Sequence, residues 1–126
     1  QDATLKFGRN VQINDFCHVA CSQEVSIGDD TLIASRVFIT DHDHDYNSGN
    51  LKPIEWPLNS KAVNIGKECW IGEGVCILKG VSIGDRTIVA ANSVVTKTFP
   101  NDVVLGGIPA KIIKSRGSNE SFKETK

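Results

Sequence analysis

The chain has 126 residues, with 14 Lys and Arg against 15 Asp and Glu and a net charge of −1. This length suits one domain with a modest hydrophobic core. The balanced charge gives no reason to expect nucleic acid or an anionic membrane surface as a partner. No apolar run approaches the roughly 20 residues of a membrane-spanning helix, so we expect no membrane span.

A six-residue repeat runs through most of the chain. A branched aliphatic residue recurs at every sixth position in two runs: Ile27, Ile33 and Ile39, then Ile65, Ile71, Ile77, Ile83, Val89 and Val95. A small or β-branched residue follows four positions later, and Gly or Ala is common directly after the aliphatic residue. A period of six fits neither an amphipathic helix nor simple strand alternation.

The repeat instead predicts an all-β parallel β-helix. Each hexad forms one flat face, three faces make a coil, and the aliphatic residue fills the interior. Glycine is expected at the corners because it tolerates unusual backbone angles. About twelve hexads predict about four coils.

The ends of the β-helix differ in composition. Residues 99–114 are apolar and rich in turn residues, and we expect them to form a short C-terminal cap. The N-terminal end has no evident cap. We predict one domain over residues 1–114 and a polar, mobile tail over residues 115–126.

The register of the repeat fails between Ile39 and Ile65, where about residues 41–61 form a protruding loop. This loop holds His42 and His44, two of the chain's three histidines. A long irregular loop on a regular scaffold is usually functional or disordered. Two extra residues also interrupt the register earlier, within Ser22 to Ser26.

Three features together resemble one protein family: the hexads, the Thr-Asp-His-Asp-His loop, and the closing run from Ala91 to Lys111. The family is the hexapeptide-repeat acyltransferases, especially the maltose and galactoside O-acetyltransferases and their relatives in surface-polysaccharide biosynthesis. The resemblance covers residues 7–114 and implies a left-handed coil. It also implies acetyl-CoA as co-substrate without a bound cofactor, and a homotrimer with active sites between subunits.

The resemblance implies a reaction as well. The acceptor is a saccharide or nucleotide-sugar whose hydroxyl, or less readily an amine, attacks the thioester directly. His42 matches the general base, and the flanking carboxylates Asp41 and Asp43 are candidates to orient its ring. His44 is the second candidate for the base.

The remaining site residues are also assigned by resemblance. The acceptor-binding set is Asn14, Asp15, Asp41 and His44. A further acceptor-site carboxylate of the family falls on Ser22, which leaves the acceptor open. The CoA-binding set is Trp70, Glu73, Ala91, Thr96, Lys97, Lys111 and Lys114, in which Lys111 and Lys114 suit a phosphate.

Other interpretations of these residues stay open. Asn14 suits a corner with left-handed backbone, Trp70 suits a subunit contact, and Lys111 and Lys114 suit a solvated face. Residues 41–45 also fit an ordinary charged loop. The four cysteines form no CxxC pair, and we expect reduced thiols in a cytoplasmic protein.

Two other functions compete on the same scaffold. A γ-type carbonic anhydrase would bind zinc through three histidines that converge on one point. However, His42 and His44 are only two residues apart and His18 lies on an early coil, so we expect no metal site. A non-enzymatic or ice-binding solenoid would show a flat, repetitive outer face and an unbroken register. The break at the histidine loop favours an enzyme.

Overall fold

The computed structural model describes residues 2–117, so only residues 115–117 of the predicted tail fall within it. The described chain is all-β apart from a 3-10 helix at Pro53–Glu55. Its strands wind into a parallel β-helix with three faces, which we call A, B and C. The predicted fold class is confirmed.

Each face is one sheet whose neighbouring strands come from successive coils. Face A contains β1 (Thr4–Phe7), β4 (Glu24–Ile27), β9 (Val63–Ile65) and β12 (Ser82–Ile83). Face B contains β2 (Gln12–Ile13), β5 (Leu32–Ile33), β10 (Trp70–Ile71), β13 (Ile88–Val89) and β15 (Val103–Gly107). Face C contains β3 (His18–Ala20), β6 (Phe38–Thr40), β11 (Cys76–Ile77) and β14 (Val94–Val95).

The sheets define four complete coils and the start of a fifth, slightly more than the repeat count predicts. The fifth begins where Phe99 pairs with Ile83 and continues into β15. A last strand, β16 (Ala110–Ser115), folds back antiparallel on β15. Leu105 and Ala110 are buried there, so this segment forms the predicted C-terminal cap.

Parallel pairing places the same hexad position of each coil in one column. Ile71 pairs with Ile33 on one side and with Val89 on the other. All three side chains are at most 1% exposed. This stacked aliphatic interior supplies the hydrophobic stabilisation of the fold. Phe7 and Ile13 of the first coil are 49% and 38% exposed because no described coil covers them.

The glycines that follow face A have a different role from the one expected. Positive φ occurs two residues further along each corner, for example 59° at Asp30 and 55° at Arg86. Gly28 is needed instead because the next coil passes close by. A Cβ atom on Gly28 would lie 2.7 Å from the carbonyl carbon of Gly66. The expectation of unusual backbone angles at these glycines was therefore wrong.

This close approach predicts that Gly28→Ala destabilises the protein by about 1–3 kcal/mol, because backbone atoms of the next coil must move. Ala34 occupies the same hexad position at the corner between faces B and C, so Ala34→Gly is the matched control, with a cost of at most about 1 kcal/mol. Urea unfolding of both variants and of the wild type measures the change in the free energy of unfolding. Equal stability of Gly28→Ala and the wild type would contradict the close-packing argument.

The protruding loop has regular structure at its base. β7 (His42–His44) and β8 (Leu58–Ser60) form an antiparallel pair in which His42 lies opposite Ser60. At the tip, the indole Nε1 of Trp56 donates a hydrogen bond to the carbonyl oxygen of Leu51 at 2.9 Å. The predicted irregular loop is thus a β-hairpin, which we call the arm (residues 41–61).

Candidate active site

The arm leaves the β-helix at Asp41, at the corner between faces C and A. Asp41 is 0% exposed, and its Oδ1 lies 2.8 Å from Nδ1 of His42. The His42 side chain is 21% exposed. A buried carboxylate therefore contacts one nitrogen of an imidazole whose ring reaches the surface.

The Asp41 carboxylate is held by the other break in the repeat. The extra residues near Ser22 form a bend at the same corner one coil earlier. Its consecutive backbone N–H groups point at Asp41: Ser22 donates to Oδ1 at 2.8 Å, and Gln23 and Glu24 each donate to Oδ2 at 2.7 Å. Successive N–H groups of this kind form an anion-binding nest. The two register breaks are therefore parts of one structure.

This nest keeps Asp41 ionised. Burial alone raises the pKa of Asp41, but the hydrogen bond from His42 and those from the backbone of Ser22, Gln23 and Glu24 outweigh it. The pKa therefore lies well below its ordinary value, since hydrogen bonds to the charged form favour that form.

An ionised carboxylate selects one tautomer of the histidine. Asp41 only accepts hydrogen bonds, so Nδ1 of His42 carries the hydrogen between them. The lone pair of neutral His42 then lies on Nε2. The Thr40 hydroxyl further fixes the backbone by donating to the His42 carbonyl oxygen at 3.0 Å. The arrangement presents an oriented base of the kind used in proton abstraction.

A cavity of about 380 Å³ lies beside this histidine. His42 and His44 both contribute to its wall, because residues two apart on a strand point to the same side. Lys79 and Asp43 form an ion pair at 3.6 Å on the same wall. The remaining lining is Ala20, Phe38, Thr40 and Leu78. The sequence identified the histidines but gave no sign of Phe38, Leu78 and Lys79.

The Asp41 side chain, which the sequence assigns both to the acceptor-binding set and to orienting His42, is completely buried and contacts His42 Nδ1. This geometry suits the orienting role. The Ser22 hydroxyl donates to Oδ1 of Asp41 at 3.2 Å. His44 is exposed and borders the cavity, so it is free to contact a ligand.

Three residues of the predicted CoA-binding set lie together on face B. Trp70, Glu73 and Ala91 border a second cavity of about 390 Å³, with Ala34, Gly72 and residues 88–90 completing its wall. Trp70 is 52% exposed. The Glu73 carboxylate accepts a hydrogen bond from Arg36 at 2.7 Å, which ties two coils together beside this cavity.

The other predicted residues lie on both sides of face C. Thr96 and Lys97 follow β14 at the corner between faces C and A, two coils beyond the arm. Lys97 Nζ lies 5.6 Å from the Phe99 ring centroid. Asn14 and Asp15 follow β2 at the opposite corner, between faces B and C, and both are exposed. Lys111 and Lys114 belong to β16 beside face B.

The predicted residues therefore form two sets on one chain. The first, at the corner between faces C and A, contains Asp41, His42, His44, Thr96 and Lys97. The second, on face B and its corner with face C, contains Asn14, Asp15, Trp70, Glu73, Ala91, Lys111 and Lys114. Face C lies between them, so a single chain does not bring the two sets together.

Residues 2–117 contain no group of three His, Cys, Asp or Glu side chains that could hold a metal ion. The His18 ring packs against Phe38, with the ring centroids 5.2 Å apart. No helix over the same residues is long and apolar enough to cross a membrane.

The chain is similar in sequence to known proteins. The six-repeat bacterial transferase hexapeptide model matches residues 62–97. WbbJ of Escherichia coli (strain K12), named as a lipopolysaccharide biosynthesis O-acetyl transferase, is 49% identical over 115 residues, or 86% of this chain and 59% of WbbJ. The galactoside O-acetyltransferase of the same strain is 34% identical over 127 residues, or 98% of this chain and 62% of that enzyme.

Solved structures show the same likeness. A hexapeptide-repeat acetyltransferase from Vibrio cholerae O1 biovar eltor, complexed with acetyl-CoA, matches with a TM-score of 0.83 and 32% identity over 90% of this chain and 61% of that one. A second crystal structure of that Vibrio cholerae acetyltransferase has a TM-score of 0.75 and 30% identity, over 91% of this chain and 72% of that one.

This chain belongs to the hexapeptide-repeat transferase family. It spans about three fifths of the length of the first curated relatives that it matches.

Proposed function

We propose that this protein transfers an acetyl group from acetyl-CoA to a hydroxyl of a saccharide or nucleotide-sugar. The observation that carries the proposal is the buried Asp41 carboxylate 2.8 Å from Nδ1 of His42 beside an open cavity. The names of the relatives, a galactoside O-acetyltransferase and a lipopolysaccharide biosynthesis O-acetyl transferase, support a saccharide acceptor. An amine acceptor is the less favoured variant.

The reaction needs one base and no covalent enzyme intermediate. Nε2 of His42 takes the proton of the acceptor hydroxyl while the hydroxyl oxygen attacks the thioester carbonyl carbon of acetyl-CoA. The C–S bond then breaks, and the His42 proton passes to the leaving thiolate. The products are the acetyl ester and free CoA. Asp41 stabilises the imidazolium that exists between the two proton transfers, as a carboxylate beside a histidine does in other enzymes.

The cavity on face B is the proposed donor site. The exposed indole of Trp70 offers an apolar wall to the pantetheine arm, and Ala91 leaves room beside it. Lys111 and Lys114, on the strand beside face B, supply positive charge for the CoA phosphates. Thr96 and Lys97, on the other side of face C, reach the same donor path from a neighbouring subunit. Asn14, Asp15 and His44 remain the proposed acceptor contacts.

A homotrimer with sites between subunits is part of this proposal. Since face C separates the two sets within one chain, an arm must meet the donor cavity of a neighbouring subunit. The exposed apolar side chains of the arm support such a contact: Tyr46 is 71% exposed and Ile54 92%. Apolar patches of this kind mark interfaces. We place the protein in the cytoplasm, where thiols such as its four free cysteines stay reduced.

Replacing Trp70 by Ala tests the donor site. We expect the KM for acetyl-CoA to rise about tenfold, the effect of losing roughly 1.4 kcal/mol of binding, while the Tm stays near that of the wild type because the indole is half exposed. CoA release with a panel of glycosides and nucleotide-sugars gives both the KM and the acceptor. Lys67→Ala, an exposed change at the corner between faces A and B, is the control. An unchanged KM for acetyl-CoA would remove Trp70 from the site.

A further inference from the structure

A pair of serine hydroxyls links the returning strand of the arm to the Asp41 nest. Ser22 Oγ and Ser60 Oγ lie 2.6 Å apart, and Ser22 Oγ also lies 3.2 Å from Oδ1 of Asp41. Both serines are partly buried. Ser60 lies directly opposite His42 in the strand pair of the arm. The two strands of the arm are therefore fastened at the residue that carries the base.

The direction of these hydrogen bonds follows from Asp41. An ionised carboxylate accepts only, so the Ser22 hydroxyl donates to Oδ1 and its oxygen is left to accept from Ser60. The chain of donors runs from Ser60 to Ser22 to Asp41, and it ends on the oxygen that also accepts from His42. An O–H···O contact of 2.6 Å is at the short end of the usual range.

We propose that Ser22 and Ser60 are positioning residues that set the orientation of His42 through Asp41. This inference rests on the proposed function, in which His42 is the base. Neither serine is among the residues that line the cavity. Their role is to hold the arm at the angle at which Nε2 of His42 meets the acceptor, because small displacements of a reacting group reduce the rate strongly.

The test is Ser60→Ala in the intact chain. We expect kcat for transfer from acetyl-CoA to methyl β-galactoside to fall about fivefold to tenfold, with the KM for acetyl-CoA and the Tm unchanged. The Nδ1 proton resonance of His42 in the NMR spectrum should broaden or disappear, because the ring loses its fixed partner geometry. Ser60→Thr keeps the hydroxyl, so its kcat and its Nδ1 proton resonance should match those of the wild type.

Two further variants complete the test. Ser22→Ala keeps the backbone N–H that binds Asp41 and should reproduce the Ser60→Ala effect. If one of the two serine variants folds poorly, the other still provides the test. Asn59→Ala, exposed on the same strand, should leave kcat and the resonance as in the wild type. A wild-type resonance and kcat in both serine variants would overturn the inference. The NMR measurement needs no acceptor, so it still decides the matter if His42 variants keep full activity and the proposed function fails.

Discussion

His42→Asn is expected to lower kcat for acetyl transfer by about 10²- to 10⁴-fold, the usual contribution of a general base. The Asn amide can still donate to Asp41, so the nest and the arm keep their positions. The Asn side chain has no lone pair at the position of Nε2, so the acceptor hydroxyl keeps its proton. The KM for acetyl-CoA should stay within about twofold, because the interaction is made only as the proton moves. Steady-state kinetics of CoA release measures both.

His44→Asn is the matched control, since His44 lies two residues along on the same strand and borders the same cavity. Within residues 2–117 the His44 imidazole makes no hydrogen bond to a carboxylate that would orient it as a base, so we expect little change in kcat. We expect a change in the KM for the acceptor, because His44 borders the cavity. Full activity in His42→Asn together with loss of kcat in His44→Asn would exchange the two roles. It would also remove the Asp41–His42 pair as the basis of the mechanism.

Asp41→Asn should lower both activity and stability. The amide keeps one acceptor oxygen, but its NH₂ group faces backbone N–H donors that need an acceptor. We expect a loss of about 2–4 kcal/mol in the free energy of unfolding at pH 7, from buried donors left without partners. We also expect kcat to fall because His42 is no longer held in one tautomer.

The pH dependence of this loss follows from the lowered pKa of Asp41. The unfolded chain binds a proton at this carboxyl near pH 3.8, whereas the folded protein does so only at lower pH. The stabilisation from Asp41 is therefore complete at neutral pH and is lost as the pH falls from about 4 through the folded-state pKa. The stability difference between wild type and Asp41→Asn should narrow over this range.

Urea unfolding between pH 3 and pH 7 measures the prediction. Asp43→Asn is the control, because Asp43 is 56% exposed in its pair with Lys79 and should change stability by less than about 1 kcal/mol. A constant stability difference between wild type and Asp41→Asn across the pH range would show that the buried carboxylate is not the group that titrates.

Much of the fold was predictable because the hexad pattern is local. Each aliphatic position, such as Ile33 or Ile71, specifies an inward side chain by its spacing alone, and parallel pairing then stacks the coils. The arm was recognisable for the same reason, as the place where the register fails. The role of the corner glycines was predicted wrongly, because Gly28 is required by close contact with the backbone of a coil almost forty residues further along the chain. No local pattern reveals this contact.

The candidate site divides in the same way. The sequence by itself determined the β-helix, the position of the arm and the identity of His42 as the candidate base, since these depend on spacing and on a matching motif. Only the tertiary structure decided that the break at Ser22–Glu24 forms the nest for Asp41, that Asp41 is buried behind the base, and that face C separates the arm from the cavity beside Trp70. These relations join residues 17 to 19 positions apart or more, and they exist only once the coils are stacked.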